Sequence, residues 1–149
     1  MTTEDVAALI LRLALGGVMI AHGYNHLFGA GGVAGTARWF RSIGLRPPRL
    51  HAWASGLVEI GAGLGLLLGL VTPLCCAAVI GVGVIAGIAV HRKNGFFVFR
   101  DGYEYVLTLS LAAFALAILG PGRLSLDHLL GLVADGALGS GLALFGLIA

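Results

Sequence analysis

Residues 52–90 read AWASGLVEIGAGLGLLLGLVTPLCCAAVIGVGVIAGIAV, and these 39 positions contain one charge, Glu59. A helix rises about 1.5 Å per residue and needs about 20 apolar residues to cross a hydrocarbon core. The stretch therefore reads as two spans joined by a tight turn at Val71-Thr72-Pro73. Thr72 suits an N-cap and Pro73 the first helical position. This places one span at 52–70 and the next at 73–90. The apolar runs are continuous rather than alternating, which argues against the strands of a membrane barrel.

Upstream, the only charge between Val6 and Ala37 is Arg12. A first span is predicted at 6–28, preceded by Glu4 and Asp5, whose negative charge suits a helix N-terminus. No basic segment precedes it and no small-residue cleavage site follows, so it does not read as a signal peptide. Gly29-Ala30-Gly31-Gly32 ends it. In the first loop, Val33, Ala37, Trp39 and Phe40 lie near one face with Arg38 and Arg41 beside them, the pattern of a helix lying at the headgroup level. Pro47-Pro48 stops that helix. Downstream, a fourth span is predicted at 105–119, closed by Gly120-Pro121-Gly122. The tail, 127–149, ends without a polar residue. It reads as a surface or partner-packing helix with Asp127 as its cap, with a fifth span as the alternative.

Composition agrees with this layout. The chain has 149 residues, 58% of them hydrophobic and 11% charged, against about 45–50% and about 25% in soluble domains. Mean hydropathy is +1.00. A soluble enzyme and a disordered chain are excluded. The net charge of +2, with no basic stripe, excludes a nucleic-acid binder. Cys75 and Cys76 are adjacent and form neither a disulfide framework nor a metal pair; they read as two small apolar residues. The fold class is all-α: an integral membrane four-helix bundle with an interfacial helix in the first loop and an apolar C-terminal helix, forming one domain over residues 1–149.

Basic residues orient it. Arg38, Arg41, Arg46 and Arg49 lie in loop one and Arg92, Lys93 and Arg100 in loop three, against Arg123 alone on the other side. Loops one and three are predicted to be cytoplasmic. Twenty-five glycines let helices approach closely in lipid. Gly61, Gly65 and Gly69 mark one face of the second span, Ser55, Gly56 and Gly63 lie beside Glu59 on a second crowded face, and Gly83 and Gly87 mark a contact on the third. These faces serve packing within the subunit or contact with a partner or second copy.

Ionisable groups at depth usually face a bundle interior. Counted from the loop-one end, His22 and Glu59 fall at similar depth, about 10 Å at 1.5 Å per residue. They are the primary candidates for a proton or ligand pocket. Asn25, His26, His91 and Glu104 are candidates to converge on the same side, and Arg12 shares the stripe of His26 at greater depth. A His–Glu pair can pass a proton or hydrogen-bond a quinone head. His22 and His26, four residues apart, also suit metal ligation, but no HExxH pattern or third ligand accompanies them, and no metal site is predicted. The plainer reading is a structural polar network. No nucleophile elbow, P-loop or dinucleotide fingerprint is present.

The whole pattern resembles the DoxX family of small four-span bacterial membrane proteins. The resemblance is carried by Arg12 ahead of Gly16, His22-Gly23, Glu59 with Gly61, Gly63 and Gly69, and Asn94-Gly95-Phe96-Phe97 before Gly102-Tyr103-Glu104-Tyr105. Gly120-Pro121-Gly122 leading to Ser125-Leu126-Asp127 completes it. His26 stands where the family pattern has lysine. The resemblance implies a four-helix bundle in the bacterial inner membrane, linked to quinone or small-thiol redox chemistry. Three functions stay open: a redox-linked subunit with a bound quinone, fed by a protein partner because no haem or flavin motif is present; a non-catalytic anchor or assembly scaffold; and a small-solute or proton pathway, which at this size implies a homo-oligomer.

Overall fold

The computed structural model describes residues 1–148; Ala149, the end of the expected tail helix, lies outside the described residues. Helix α1 (Thr3–Phe28) opens on a capping box: the Asp5 amide donates to the Thr2 hydroxyl and the Thr2 amide to the Asp5 carboxylate. Gly31, at φ 84°, turns the chain into α2 (Gly32–Ser42). Helix α3 (Pro48–Leu68) begins at the second proline, with Pro47 at its N-cap. The proline pair therefore ends one helix and starts the next, since proline is well placed in a first turn. Span two thus begins one helical turn before residue 52.

Gly69, in the left-handed region at φ 64°, ends α3, and α4 (Thr72–Ala86) follows. It continues through a π turn (Gly87–His91) and a 3-10 turn (Arg92–Asn94), so the continuous apolar helix is Thr72–Asn94. Thr72 is not the cap. Its hydroxyl has no partner, and the Val71 and Thr72 amides donate to the Asp127 carboxylate at 2.7 and 2.9 Å. Asp127 in turn does not cap its own helix, α6 (Leu126–Leu129); Ser125 does, accepting from the His128 amide.

Three helices, Thr3–Phe28, Pro48–Leu68 and Thr72–Asn94, are long and apolar enough to cross a membrane. The fourth expected span, α5 (Glu104–Leu119), has 16 residues, about 24 Å at 1.5 Å per residue. It completes the bundle as a shorter wall. α1 packs against α3 and α5, and α4 packs against the same two from the other side. The chain is an all-α membrane bundle, with no strand among the described residues.

The tail differs from the expected single helix. After α6 it breaks, because Gly131 and Gly136 take positive φ. It then resumes as α7 (Gly136–Ala143) with a 3-10 turn (Leu144–Ile148), packed on α4 and α5 of the same chain.

The glycine contacts are also redistributed. α1 and α3 cross through Gly16 against Gly63 and Gly23 against Gly56: a Cβ on Gly63 would meet the Gly16 carbonyl oxygen at 2.8 Å. Gly61 faces open space, Gly65 abuts Cys75, and Gly69 ends α3 beside Arg12. These three do not form one packing face. Gly83 meets Ser110, and Gly87 makes only ordinary contact with Val106, at 3.7 Å.

Candidate functional site

Glu59 meets α1 one turn along from His22, on the loop-one side. Its partner is His26: Nε2 lies 3.6 Å from Glu59 Oε1. That exceeds a hydrogen bond, so the pair is close without being locked. Helix α2 holds the imidazole. The Thr36 hydroxyl donates to the His26 carbonyl at 2.7 Å. Trp39 stacks on the ring at 6.1 Å between centroids, and Phe40 lies tilted at 5.5 Å. The aromatic face read as a membrane-surface feature therefore turns partly inward, and Phe40 is buried.

His26 and Glu59 line a cavity of about 320 Å³ between α3 and α4, roofed by α2. Small-molecule sites begin at about 300 Å³. The walls are apolar: Val58 from α3, Val82, Ile85 and Ala86 from α4, and Trp39 and Phe40 from α2. Against them stand few polar groups. Glu59 is 3% exposed, and its Oε2 has no hydrogen-bond partner. The Ser55 hydroxyl, one turn earlier on α3, is also buried without a partner. His51 lines the loop-one end, its Nε2 3.2 Å from the Arg46 carbonyl. Buried polar groups are normally satisfied; here two unsatisfied oxygens border one apolar cavity.

The other candidates lie elsewhere. His22 is exposed and stacks on Tyr105 at the start of α5, at 6.3 Å. It does not share a cavity with Glu59. Asn25 is exposed, and its carbonyl accepts from Gly29 at the end of α1. The His91 imidazole and the Asn94 amide both donate to the Asp101 carbonyl, at 2.7 and 3.1 Å. Glu104 accepts from the Val98 amide at 2.9 Å. His91 and Glu104 thus organise loop three rather than a ligand site.

Arg12 is committed at the opposite end of the bundle. It is 2% exposed and donates to the carbonyls of Leu66, Leu67, Pro121 and Leu124 at 2.7–2.9 Å. The first two are among the last carbonyls of α3; that of Leu66 also accepts from the Gly69 amide at 3.1 Å. Arg12 therefore ties α1, α3 and the segment after α5 together, with four of its five N–H donors engaged by carbonyls. Among the described residues no three His, Cys, Asp or Glu side chains group as a metal site.

The sequence places Ser55 beside Glu59 but does not single it out as a site residue, and His51 escapes it. Ser55 precedes Glu59 by four residues, so it shares its helix face, and that spacing is the signal that could have marked it as one. His51 lay inside a loop whose early helical start was not expected.

The chain is similar to known proteins along most of its length. It is 29% identical over 127 residues to the inner membrane protein YqjF of Escherichia coli (strain K12), which covers 85% of this chain and 94% of the relative. No solved structure matches it. The DoxX family pattern matches residues 7–92, more than half of the chain, and that stretch contains every residue lining the His26–Glu59 cavity. The chain belongs to the DoxX family.

Proposed function

We propose that this protein is a redox-linked subunit of a bacterial inner membrane, with loops one and three cytoplasmic, whose α2–α3–α4 cavity binds the ring of a lipid-soluble quinone. The observation that carries the reading is the pair of unpartnered buried oxygens, Glu59 Oε2 and Ser55 Oγ, against apolar and aromatic walls. An apolar chamber with a few convergent polar groups is the usual form of a small-ligand site. The volume of about 320 Å³ suits one or two fused rings.

A bound quinone supplies two-electron, two-proton chemistry. The protein's part is to bind the ring, orient it and move protons. Trp39 and Phe40 offer aromatic faces for stacking. The Ser55 hydroxyl can donate to a carbonyl oxygen, and an ionised Glu59 can accept from a hydroxyl. His26, 3.6 Å from Glu59, is placed to exchange a proton with it. The electrons come from a partner dehydrogenase or a small thiol donor, since the chain carries no redox motif of its own.

Trp39 makes the test direct. The chain has two tryptophans, and Trp53→Phe leaves Trp39 as the sole reporter in the cavity. A short-chain naphthoquinone titrated into this protein in detergent micelles should quench the fluorescence saturably. Glu59→Met or His26→Phe should weaken binding about tenfold or more, the loss of one good polar contact, about 1.4 kcal/mol. His22→Phe should leave binding unchanged. Equal affinity in all four proteins overturns the reading and favours the scaffold.

A further inference from the structure

The seam between α4 and α5 is closed along only half its length. α7 and the turn after it run down the seam from the Gly120 end. Gly139 sits on the Ala117 carbonyl, and Gly146 on the Ala77 carbonyl and the Gly81 amide. Past Leu144 and Leu147 the seam stays open as a groove of about 610 Å³, with Gly83 and Gly87 on one side and Val106, Leu107 and Leu111 on the other. From Ile80 to Arg92 the groove follows α4 for about 18 Å at 1.5 Å per residue. One leaflet contributes half of a hydrocarbon core of about 30 Å.

The far end of the groove is basic. Arg92 and Tyr103 line it. Arg92 is exposed and pairs with no Asp or Glu among the described residues. Lys93 follows it, and Arg100 stands in the same loop, both exposed. An apolar slot of one leaflet's depth that ends at an unpaired guanidinium matches a molecule with a hydrocarbon chain and an anionic head. A helix from a second copy would cover the apolar slot, but a lipid brings the hydrocarbon chain and the counter-charge to Arg92 in one molecule. Basic sites between membrane helices are the known chemistry for holding anionic lipid heads.

We infer that the α4–α5 groove seats one acyl chain of an anionic phospholipid, from the leaflet facing loop three, with its phosphate on Arg92. The lipid completes the seam that the tail begins. This site lies on the opposite face of α4 from the Glu59 cavity and does not depend on what fills that cavity.

The test is native mass spectrometry of the full chain released from vesicles of phosphatidylethanolamine and phosphatidylglycerol. The wild-type protein should retain one phosphatidylglycerol in preference to phosphatidylethanolamine. Arg92→Glu should lower that retention about tenfold, and Arg92→Lys should preserve it. Leu107→Trp, which fills the slot, should lower it without altering the charge. Arg41→Glu, in loop one, should not. Melting curves establish that each variant is folded. Retention without headgroup preference overturns the proposal. So does equal loss in Arg41→Glu, displacement by excess inorganic phosphate, or a dimer that Leu107→Trp abolishes.

Discussion

Arg12 and Glu59 are both buried, at 2% and 3% exposure, yet the same substitution should move stability in opposite directions. Arg12 donates to four carbonyls. Hydrogen bonds to charged groups contribute about 1.5–3 kcal/mol each, less when they share one donor group. Arg12→Met also strands the Leu67 carbonyl at the end of α3. The expected loss is about 4 kcal/mol or more, in the range seen when one partner of a buried charged network is removed. Glu59 is the reverse case. Its Oε2 has no partner, and the nearest ionisable neighbour, His26, is 3.6 Å away. An unsatisfied buried polar group costs about 1–3 kcal/mol. Glu59→Met keeps the length of the side chain and removes that cost, so the variant should be more stable by about 1–3 kcal/mol while losing ligand affinity. Thermal unfolding in detergent reads both signs through a thiol-reactive dye, because Cys75 and Cys76 are buried until the bundle opens. A Glu59→Met variant destabilised by more than about 1 kcal/mol would show that the carboxyl is a structural strut, since that loss equals a typical satisfied hydrogen bond.

Three further outcomes follow from particular contacts. Gly63→Ala places a Cβ 2.7–2.8 Å from Ile20 and the Gly16 carbonyl and should cost about 1–3 kcal/mol by overpacking. Gly61→Ala meets nothing within 4 Å and should gain up to about 1 kcal/mol from helix propensity; the same melting assay separates them. Asp127→Ala leaves the Val71 and Thr72 amides without their acceptor and should cost about 2–4 kcal/mol, while Asp127→Asn, which keeps one oxygen, should cost about half as much. For orientation, a membrane-impermeant maleimide added to intact cells lacking Cys75 and Cys76 should label His128→Cys and not Ser42→Cys; the reverse pattern inverts the assignment of loop one.

What the sequence made legible was set by local physics. Long apolar runs declare helices whatever they pack against, so the bundle and its loops were readable from residues 52–90 outward. What was missed depended on register between distant segments. Counting depth paired Glu59 with His22, but His22 is exposed beside Tyr105, and the carboxylate meets His26, one turn nearer loop one. The Gly61-Gly65-Gly69 repeat has the spacing of a packing motif, yet the helices cross through Gly56 and Gly63, seven residues apart, because the face α1 occupies is chosen by Gly16 and Gly23. Thr72 has the right side chain for a cap at the right place, but Asp127, 55 residues away, reaches the same amides with a full charge.

The two ends of the bundle treat buried polarity differently, and that difference bears on function. At the Arg12 end, Asp5 accepts from the Thr2 and Arg123 amides, Asp127 from two amides, and Arg12 serves four carbonyls. That network leaves one buried oxygen, the Thr72 hydroxyl, without a partner among the described residues. At the Glu59 end, two oxygens are desolvated and unanswered beside an open volume. Their desolvation is already part of the cost of folding, so a ligand that hydrogen-bonds Glu59 need not strip water from it again. Recovering even one such contact, at about 1–3 kcal/mol, multiplies affinity by about 5–150-fold. The same reasoning links the two measurements on Glu59→Met. A group that weakens the empty protein and strengthens the occupied one must, when replaced, raise the melting temperature without ligand and shrink the rise that ligand produces. A structural network cannot give that pair of results, because its satisfied groups stabilise the protein whether or not the cavity is filled.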